Sequence, residues 1–130
     1  MTKRELYQLL ESGPVILDGA TGTNLQQAGM PLGVCPEDWI RHHKEEMIKL
    51  QKEYVEAGSQ ILYAPTFTAS RIKLAEYGLE DELEDINRAM VRISREAADG
   101  RAYVAGDLSM TGHQVYPTGD MVFEELVDIY

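Results

Sequence analysis

The chain has 130 residues, of which 44% are hydrophobic and 26% are charged, as in most proteins that fold in water. Twenty-two acidic residues outnumber twelve Lys and Arg, and the net charge of −10 argues against binding to nucleic acids or anionic membranes. The sequence contains no apolar stretch of roughly 20 residues and no signal-peptide core, so we predict a cytoplasmic protein. Its one cysteine, Cys35, cannot form an internal disulfide or, alone, a thiolate-rich metal site.

Two short elements are predicted first. Thr2 and Glu5 have the spacing of a helix-capping box, which predicts a short helix that ends at the Gly-Pro pair at 13–14. The apolar residues 15–17 follow this breaker directly and predict a buried strand, which opens into a loop of small and polar residues at 18–23.

One long helix is predicted next, over residues 36–58. It begins with a proline, which suits a first helical position, and two acidic residues follow where the helix dipole favours anions. Its apolar face consists of Ile40, Met47, Leu50, Tyr54 and Ala57. Residues 61–64 then predict a second strand, and residues 66–70 form the next loop.

The third unit repeats this order. Residues 71–77 predict one or two helical turns, and a longer amphipathic helix follows, ending at the Asp-Gly pair at 99–100. Its buried face is predicted to consist of Leu83, Ile86, Met90, Ile93 and Ala97. Residues 102–105 predict a third strand, and residues 106–112 a third polar loop.

A last helix is predicted near the end of the chain. Asp120 is expected to cap it, with Phe123, Leu126 and Tyr130 on one face. Because no helix-terminating signal precedes the last residue, we expect the chain to be cut within this element, as a fragment of a longer protein.

Short apolar strands separated by long amphipathic helices predict an α/β fold with a parallel sheet. The spacing is compatible both with an open doubly wound sheet and with a closed barrel. In either architecture ligands bind beyond the carboxyl ends of the strands, so the loops that begin at Asp18, Thr66 and Asp107 are expected to converge on one site.

Each candidate site residue has a functional and a conformational interpretation. Asp18, next to the open backbone of Gly19, has the chemistry to bind the two charged ends of an amino acid, whereas Asp and Gly are also common turn residues. Thr66 offers a hydroxyl and Phe67 an apolar wall, unless they simply begin a loop. Asp107 is equally consistent with a strand-terminal turn.

The residues also carry a family resemblance. In chain order, the matching segments are 16–26 (ILDGATGTNLQ), 29–31 (GMP), 35–39 (CPEDW), 64–74 (APTFTASRIKL), 78–80 (GLE), 86–88 (INR) and 105–112 (AGDLSMTG). Together they resemble the N-terminal part of homocysteine S-methyltransferase domains, including the first module of cobalamin-dependent methionine synthase. The match extends over nearly the whole chain.

This resemblance implies a (β/α)8 barrel, of which residues 1–130 would form about three βα units of one incomplete domain. It also implies methyl transfer to homocysteine, whose thiolate is bound and activated by Zn²⁺, to form methionine. By the resemblance, Asp18 binds the homocysteine amino group, the backbone amides of Gly19 and Ala20 hold its carboxylate, and Thr66, Phe67 and Asp107 line the site.

The chain also departs from the family pattern. The family's zinc ligands are cysteines of later strands, and Cys35 does not match any of them, so we expect this chain alone to be inactive. Pro65 and Ser70 stand where many relatives have Asn, a pattern that favours a methylated corrinoid protein or domain as the methyl donor, with methylfolate as the alternative.

Two other functions stay open from the sequence. Three strands cannot close a barrel, so a natural chain of this length is predicted to self-associate through its exposed sheet edge, as a binding or assembly module without catalysis. A different barrel enzyme, acting on a phosphorylated sugar, is the other alternative, although no phosphate-binding motif is present.

Overall fold

The computed structural model describes residues 1–130. The helices are α1 (Lys3–Glu11), α2 (Gly22–Gln27), α3 (Pro36–His42), α4 (Lys44–Glu56), α5 (Arg71–Ala75), α6 (Leu83–Ala98) and α7 (Phe123–Ile129). The strands are β1 (Ile61–Tyr63) and β2 (Tyr103–Ala105), and a 3-10 turn at Glu80–Glu82 leads into α6. No helix is both long and apolar enough to cross a membrane.

The two strands form a parallel sheet, which confirms the predicted α/β class. Ile61 pairs with Tyr103 and Tyr63 with Ala105, and the connection between the strands runs through α5 and α6. The predicted first strand, residues 15–17, is reduced to one parallel bridge between Leu17 and Ile61. Beyond this bridge, the Asp18 carboxylate and not a backbone carbonyl accepts the hydrogen bond from the Tyr63 N–H of β1.

One face of the sheet is covered by helices and the other is open. Leu62 of β1 is fully buried against Met90 and Ile93 of α6 and Met47 of α4, and this group forms the main core. On the opposite face Tyr63 is 43% exposed and Tyr103 is 38% exposed. Because helices cover only one face of the sheet, large apolar side chains on the other face are in contact with solvent.

Helix α6 confirms the prediction from its periodicity. Four of the five expected face residues are buried, and Leu83 is partly buried at the start of the helix. The helix ends at Asp99, which adopts the left-handed conformation (φ 47°), and Gly100 continues the turn with a positive φ. An Asp-Gly pair suits this geometry because both residues tolerate positive φ better than most.

The prediction of a single helix over residues 36–58 was wrong in one respect. The backbone breaks at His43 (φ −133°, ψ 46°), so that α3 and α4 are separate helices. The His43 ring stacks on Trp39 at a centroid distance of 4.2 Å, and its Nδ1 lies 2.9 Å from the Trp39 carbonyl oxygen. The His43 N–H still donates to the Trp39 carbonyl at 3.0 Å, and Ile40 and Met47 on the two sides of the break both reach the core.

The helix caps predicted near the two ends of the chain had different outcomes. The capping box between Thr2 and Glu5 is present at the start of α1. Helix α7 begins at Phe123 with Val122 as its N-cap, so the prediction that Asp120 caps it was wrong. None of the residues of α7 is buried.

Helix α2 was not predicted from the sequence. It packs on the core through Leu25, which is 1% exposed.

Candidate functional site

Asp18 lies where the first strand segment ends, and its side chain continues the pairing with β1. Its backbone N–H donates to the Ile61 carbonyl (3.1 Å), and the Tyr63 N–H donates to both carboxylate oxygens at 3.2 Å. The carboxylate is thus fixed at the carboxyl end of the sheet by a backbone group, at the edge where ligands bind in parallel α/β folds.

The electrostatic environment of this carboxylate favours a cationic partner. Burial raises the pKa of Asp18 above its ordinary value of 3.8, and the Tyr63 N–H only partly opposes this shift. A half-buried carboxylate with no cation beside it carries an uncompensated desolvation penalty. An ammonium group bound at this position would offset that penalty by a charge-assisted hydrogen bond.

The turn at Gly19 and Ala20 is held from one side and open on the other. The Tyr54 hydroxyl donates to the Ala20 carbonyl at 2.9 Å, and the Asn24 side-chain amide donates to the same oxygen at 2.7 Å. A Cβ added to Gly19 would lie 3.1 Å from the Tyr54 hydroxyl oxygen, so glycine permits this close approach. The N–H groups of Gly19 and Ala20 donate no hydrogen bond within the chain and are free to bind an anion.

Thr66 connects the second and third loops. Its hydroxyl donates to the Asp107 carbonyl (2.9 Å) and accepts from the Asp107 N–H (3.0 Å). These two hydrogen bonds give the Thr66 hydroxyl a structural role between the loops, and its predicted contact with a ligand stays a prediction. The consequence is a fixed distance between Phe67, which follows Thr66, and the start of the third loop.

A cavity of about 120 Å³ lies at the point where the three loops meet. Four of the six predicted residues line it: Asp18, Gly19, Phe67 and Asp107. Ala20 and Thr66 are adjacent to lining residues but do not contribute to the wall. The remaining lining residues, which the sequence did not assign to the ligand site, are Thr21, Tyr63, Ala64 and Pro65. Residues 63–65 lie at the carboxyl end of the predicted second strand, which is the signal that could have found them.

A second cavity, of about 420 Å³, lies on the other side of Phe67 and Asp107. Its wall includes Asn87 and Arg88 of α6 and Tyr130 at the end of α7. Phe67 and Asp107 line both cavities and form the partition between them. Any change in the position of the loop at 66–70 therefore alters both spaces.

The donor set of the chain does not fit a catalytic zinc ion. No group of three His, Cys, Asp or Glu side chains is arranged to hold a metal. The Cys35 thiol is buried, and burial raises its pKa to about 11, the reverse of what a zinc thiolate requires. The thiol donates a hydrogen bond to Glu37 Oε2 at 3.5 Å.

Comparison with known sequences identifies the family of the chain. The sequence model of homocysteine S-methyltransferase matches residues 15–130. The chain belongs to the homocysteine S-methyltransferase family. It is 32% identical over 117 residues to an S-methylmethionine–homocysteine S-methyltransferase of Pongo abelii, a match that covers 88% of this chain and 31% of the relative.

Other members of the homocysteine S-methyltransferase family give the same result. A betaine–homocysteine S-methyltransferase of Danio rerio is 33% identical and is matched over 29% of its length, and a methionine synthase of Mycobacterium leprae is 27% identical and is matched over 10%. The chain thus spans about a third or less of these relatives. The metallated Escherichia coli homocysteine methyltransferase superimposes with a TM-score of 0.70 at 22% identity, covering 80% of this chain and 41% of that structure, and shares its fold.

Proposed function

We propose that the chain is the amino-acid-binding part of a homocysteine S-methyltransferase, a protein that transfers a methyl group to the sulfur of homocysteine and forms methionine. In this proposal residues 1–130 are one incomplete domain and supply about three βα units of a (β/α)8 barrel. The observation that carries the proposal is the pairing of a fixed, desolvated carboxylate at Asp18 with free N–H groups at Gly19 and Ala20.

These groups complement the two charges of an amino acid. The Asp18 carboxylate accepts from the ammonium group, while the Gly19 and Ala20 amides donate to the carboxylate of the ligand. Phe67 provides an apolar wall for the methylene groups of the side chain. Thr66 acts indirectly, because its hydroxyl keeps Asp107 beside this wall.

In this proposal, the groups that activate the homocysteine thiol and supply the methyl group are not side chains of residues 1–130. Zinc, when bound in enzymes, keeps a ligand thiol in its nucleophilic thiolate form near neutral pH. The donor set described above does not suit zinc, so we propose that its ligands belong to other parts of the barrel and that residues 1–130 alone do not turn over. A methylated corrinoid or a methylfolate, presented by another domain or protein, is the proposed methyl donor.

Calorimetric titration of the 130-residue chain with L-homocysteine tests the proposal. Two analogues separate the predicted contacts: 4-sulfanylbutanoate lacks the amino group and 3-sulfanylpropylamine lacks the carboxylate. We expect saturable binding of L-homocysteine and weaker binding of both analogues, by about tenfold or more each, because every analogue leaves one charged group of the site unpaired. Equal affinity for all three ligands, or no binding of L-homocysteine, would contradict the proposal.

The open face of the sheet supports a second candidate function, that of a half-barrel that assembles with another copy of itself. Leu17, Tyr63 and Tyr103 are each more than a third exposed on this face, which is unusual for aromatic and aliphatic side chains of a sheet. Sedimentation equilibrium separates the two states. A monomer at concentrations of about 100 μM would exclude an assembly that is stable in the micromolar range.

A further inference from the structure

Glu37, the second residue of α3, has a buried side chain with an unusual environment. The residue has no exposed surface, and no Lys, Arg or His forms an ion pair with it. Its Oε1 accepts from the Thr68 N–H at 2.9 Å, and the Thr68 hydroxyl lies 2.6 Å from Oε1 and 2.5 Å from Oε2. The Cys35 thiol lies 3.5 Å from Oε2.

This arrangement requires a carboxylate and not merely a side chain of similar size. All of the hydrogen-bond partners are donors, so both oxygens of Glu37 serve as acceptors. Burying a carboxylate is costly unless hydrogen bonds offset the loss of water, and an apolar residue would fill the same space without that cost. Two of the three donor groups belong to a single residue, Thr68, which is 31 positions away in the sequence.

Thr68 is the central residue of the loop at 66–70, which carries the partition between the two cavities. Its neighbours on both sides are also held: Thr66 is bonded to Asp107, and the Asn87 side-chain amide donates to the Ala69 carbonyl at 2.9 Å. Phe67 lies between two residues, Thr66 and Thr68, whose hydroxyls are both fixed by distant elements. The hydrogen bonds of Thr68 therefore connect Glu37 to the loop segment that carries Phe67.

We propose that Glu37 is a positioning residue for the candidate site: by fixing Thr68 from behind the loop, it sets the placement of Phe67 and the shape of the ligand cavity. This inference rests on the proposed function in that the cavity is the homocysteine site. Glu37 does not line either cavity, so it acts through the loop and does not touch the ligand.

Three substitutions test the role of this contact. E37Q keeps the size of the side chain but turns an amide NH₂ toward groups that are themselves donors. T68V removes the hydroxyl and leaves the backbone N–H, whereas T68S keeps both donors and is the conservative rescue. The control is E45Q, which removes the same charge from an exposed position on α4 that makes no hydrogen bond or ion pair.

Amide hydrogen exchange of the free 130-residue chain is the first measurement, because it needs no ligand. We expect exchange of the Thr68 amide and its loop neighbours to accelerate by about tenfold or more in E37Q, and in T68V to a smaller extent. Amides within α6 should keep their protection, and T68S and E45Q should match the original chain. Unchanged exchange at Thr68 in E37Q, or equal acceleration throughout α6, would overturn the proposal. T68V decides the matter if E37Q does not fold.

Affinity for L-homocysteine is the second measurement. The expected result is affinity weakened by about tenfold in E37Q and retained in T68S and E45Q. Faster loop exchange with unchanged affinity would show that the contact is structural only and would overturn the positioning role. If the original chain does not bind homocysteine at all, the proposed function fails, while the exchange of Thr68 still decides whether Glu37 fixes the loop.

Discussion

Replacing Asp18 by Asn should separate binding from folding. The substitution removes the charge but keeps the shape and one acceptor oxygen for the Tyr63 N–H, which bonds both carboxylate oxygens at 3.2 Å. If Asp18 binds the ligand ammonium, the variant loses one charge-assisted hydrogen bond, about 1.5–3 kcal/mol. The affinity for L-homocysteine should therefore fall by about tenfold to 150-fold, whereas affinity for 4-sulfanylbutanoate, which has no amino group, should be nearly unchanged.

The effect on stability should have the opposite sign. Burial raises the pKa of Asp18 in the folded state above the ordinary 3.8, so the contribution of this group is fully present below pH 3.8 and is lost as the pH rises through the folded-state pKa. At pH 7 the ionised carboxylate therefore opposes folding. We expect Asp18→Asn to have a free energy of unfolding equal to or above that of the original chain at pH 7, with a gap that narrows at acidic pH.

Urea unfolding at pH 7 and at pH 4, together with calorimetric titration, measures both effects. A loss of more than about 1 kcal/mol of stability at pH 7 would show that Asp18 is a structural carboxylate whose hydrogen bonds outweigh its desolvation. Unchanged homocysteine affinity would show that the amino group is bound elsewhere. Either result refutes the reasoning that links the raised pKa to ligand binding.

Three further substitutions or reactions test other parts of the structure. Tyr54→Phe removes the hydroxyl that holds the Ala20 carbonyl, and urea unfolding should show a loss of about 0.5–1.5 kcal/mol, with weaker homocysteine binding in calorimetry. Met90→Ala opens the fully buried core and should cost about 2–5 kcal/mol in the same unfolding assay; a smaller loss would mean that the core collapses around the site. Cys35 should react with a thiol reagent at pH 8 at least about a hundredfold faster in urea than in the native chain, because its pKa of about 11 suppresses the thiolate; equal rates would contradict its burial.

The elements that the sequence predicted well are those whose signals are local. Helix α6 follows from the three- and four-residue spacing of its apolar residues, and the turn at Asp99 follows from the residue types that tolerate positive φ. The break at His43 was missed because Ile40 and Met47 are seven residues apart and fit one continuous helix. The stacking of His43 on Trp39 is a side-chain contact that no periodicity reports.

The residues of the candidate site also differ in how far the sequence could predict them. Asp18 and Asp107 could be found because each follows an apolar strand, and the parallel arrangement brings such positions to one edge. The sequence indicated Glu37 only as an acidic residue in the first turn of a helix. Its bond to Thr68 joins two elements that are separated by a strand and a helix, and such a contact depends on the packing of α3 against the loop. The hydrogen bond by which the Thr66 hydroxyl joins two loops likewise has no signal in the sequence.

The N-terminal segment is attached to the sheet at the same residues that form the proposed site. Residues 15–18 carry the carboxylate of the proposed site and are joined to the sheet by one parallel bridge and by hydrogen bonds with residues 59–63, whereas β1 and β2 share three residue pairs. A ligand that binds only the attached state stabilises it by about 2.7 kcal/mol at a hundredfold excess over its dissociation constant. In the proposed function, a bound amino acid would therefore strengthen the attachment of residues 15–18 to the sheet, because Asp18 contacts both the ligand and β1.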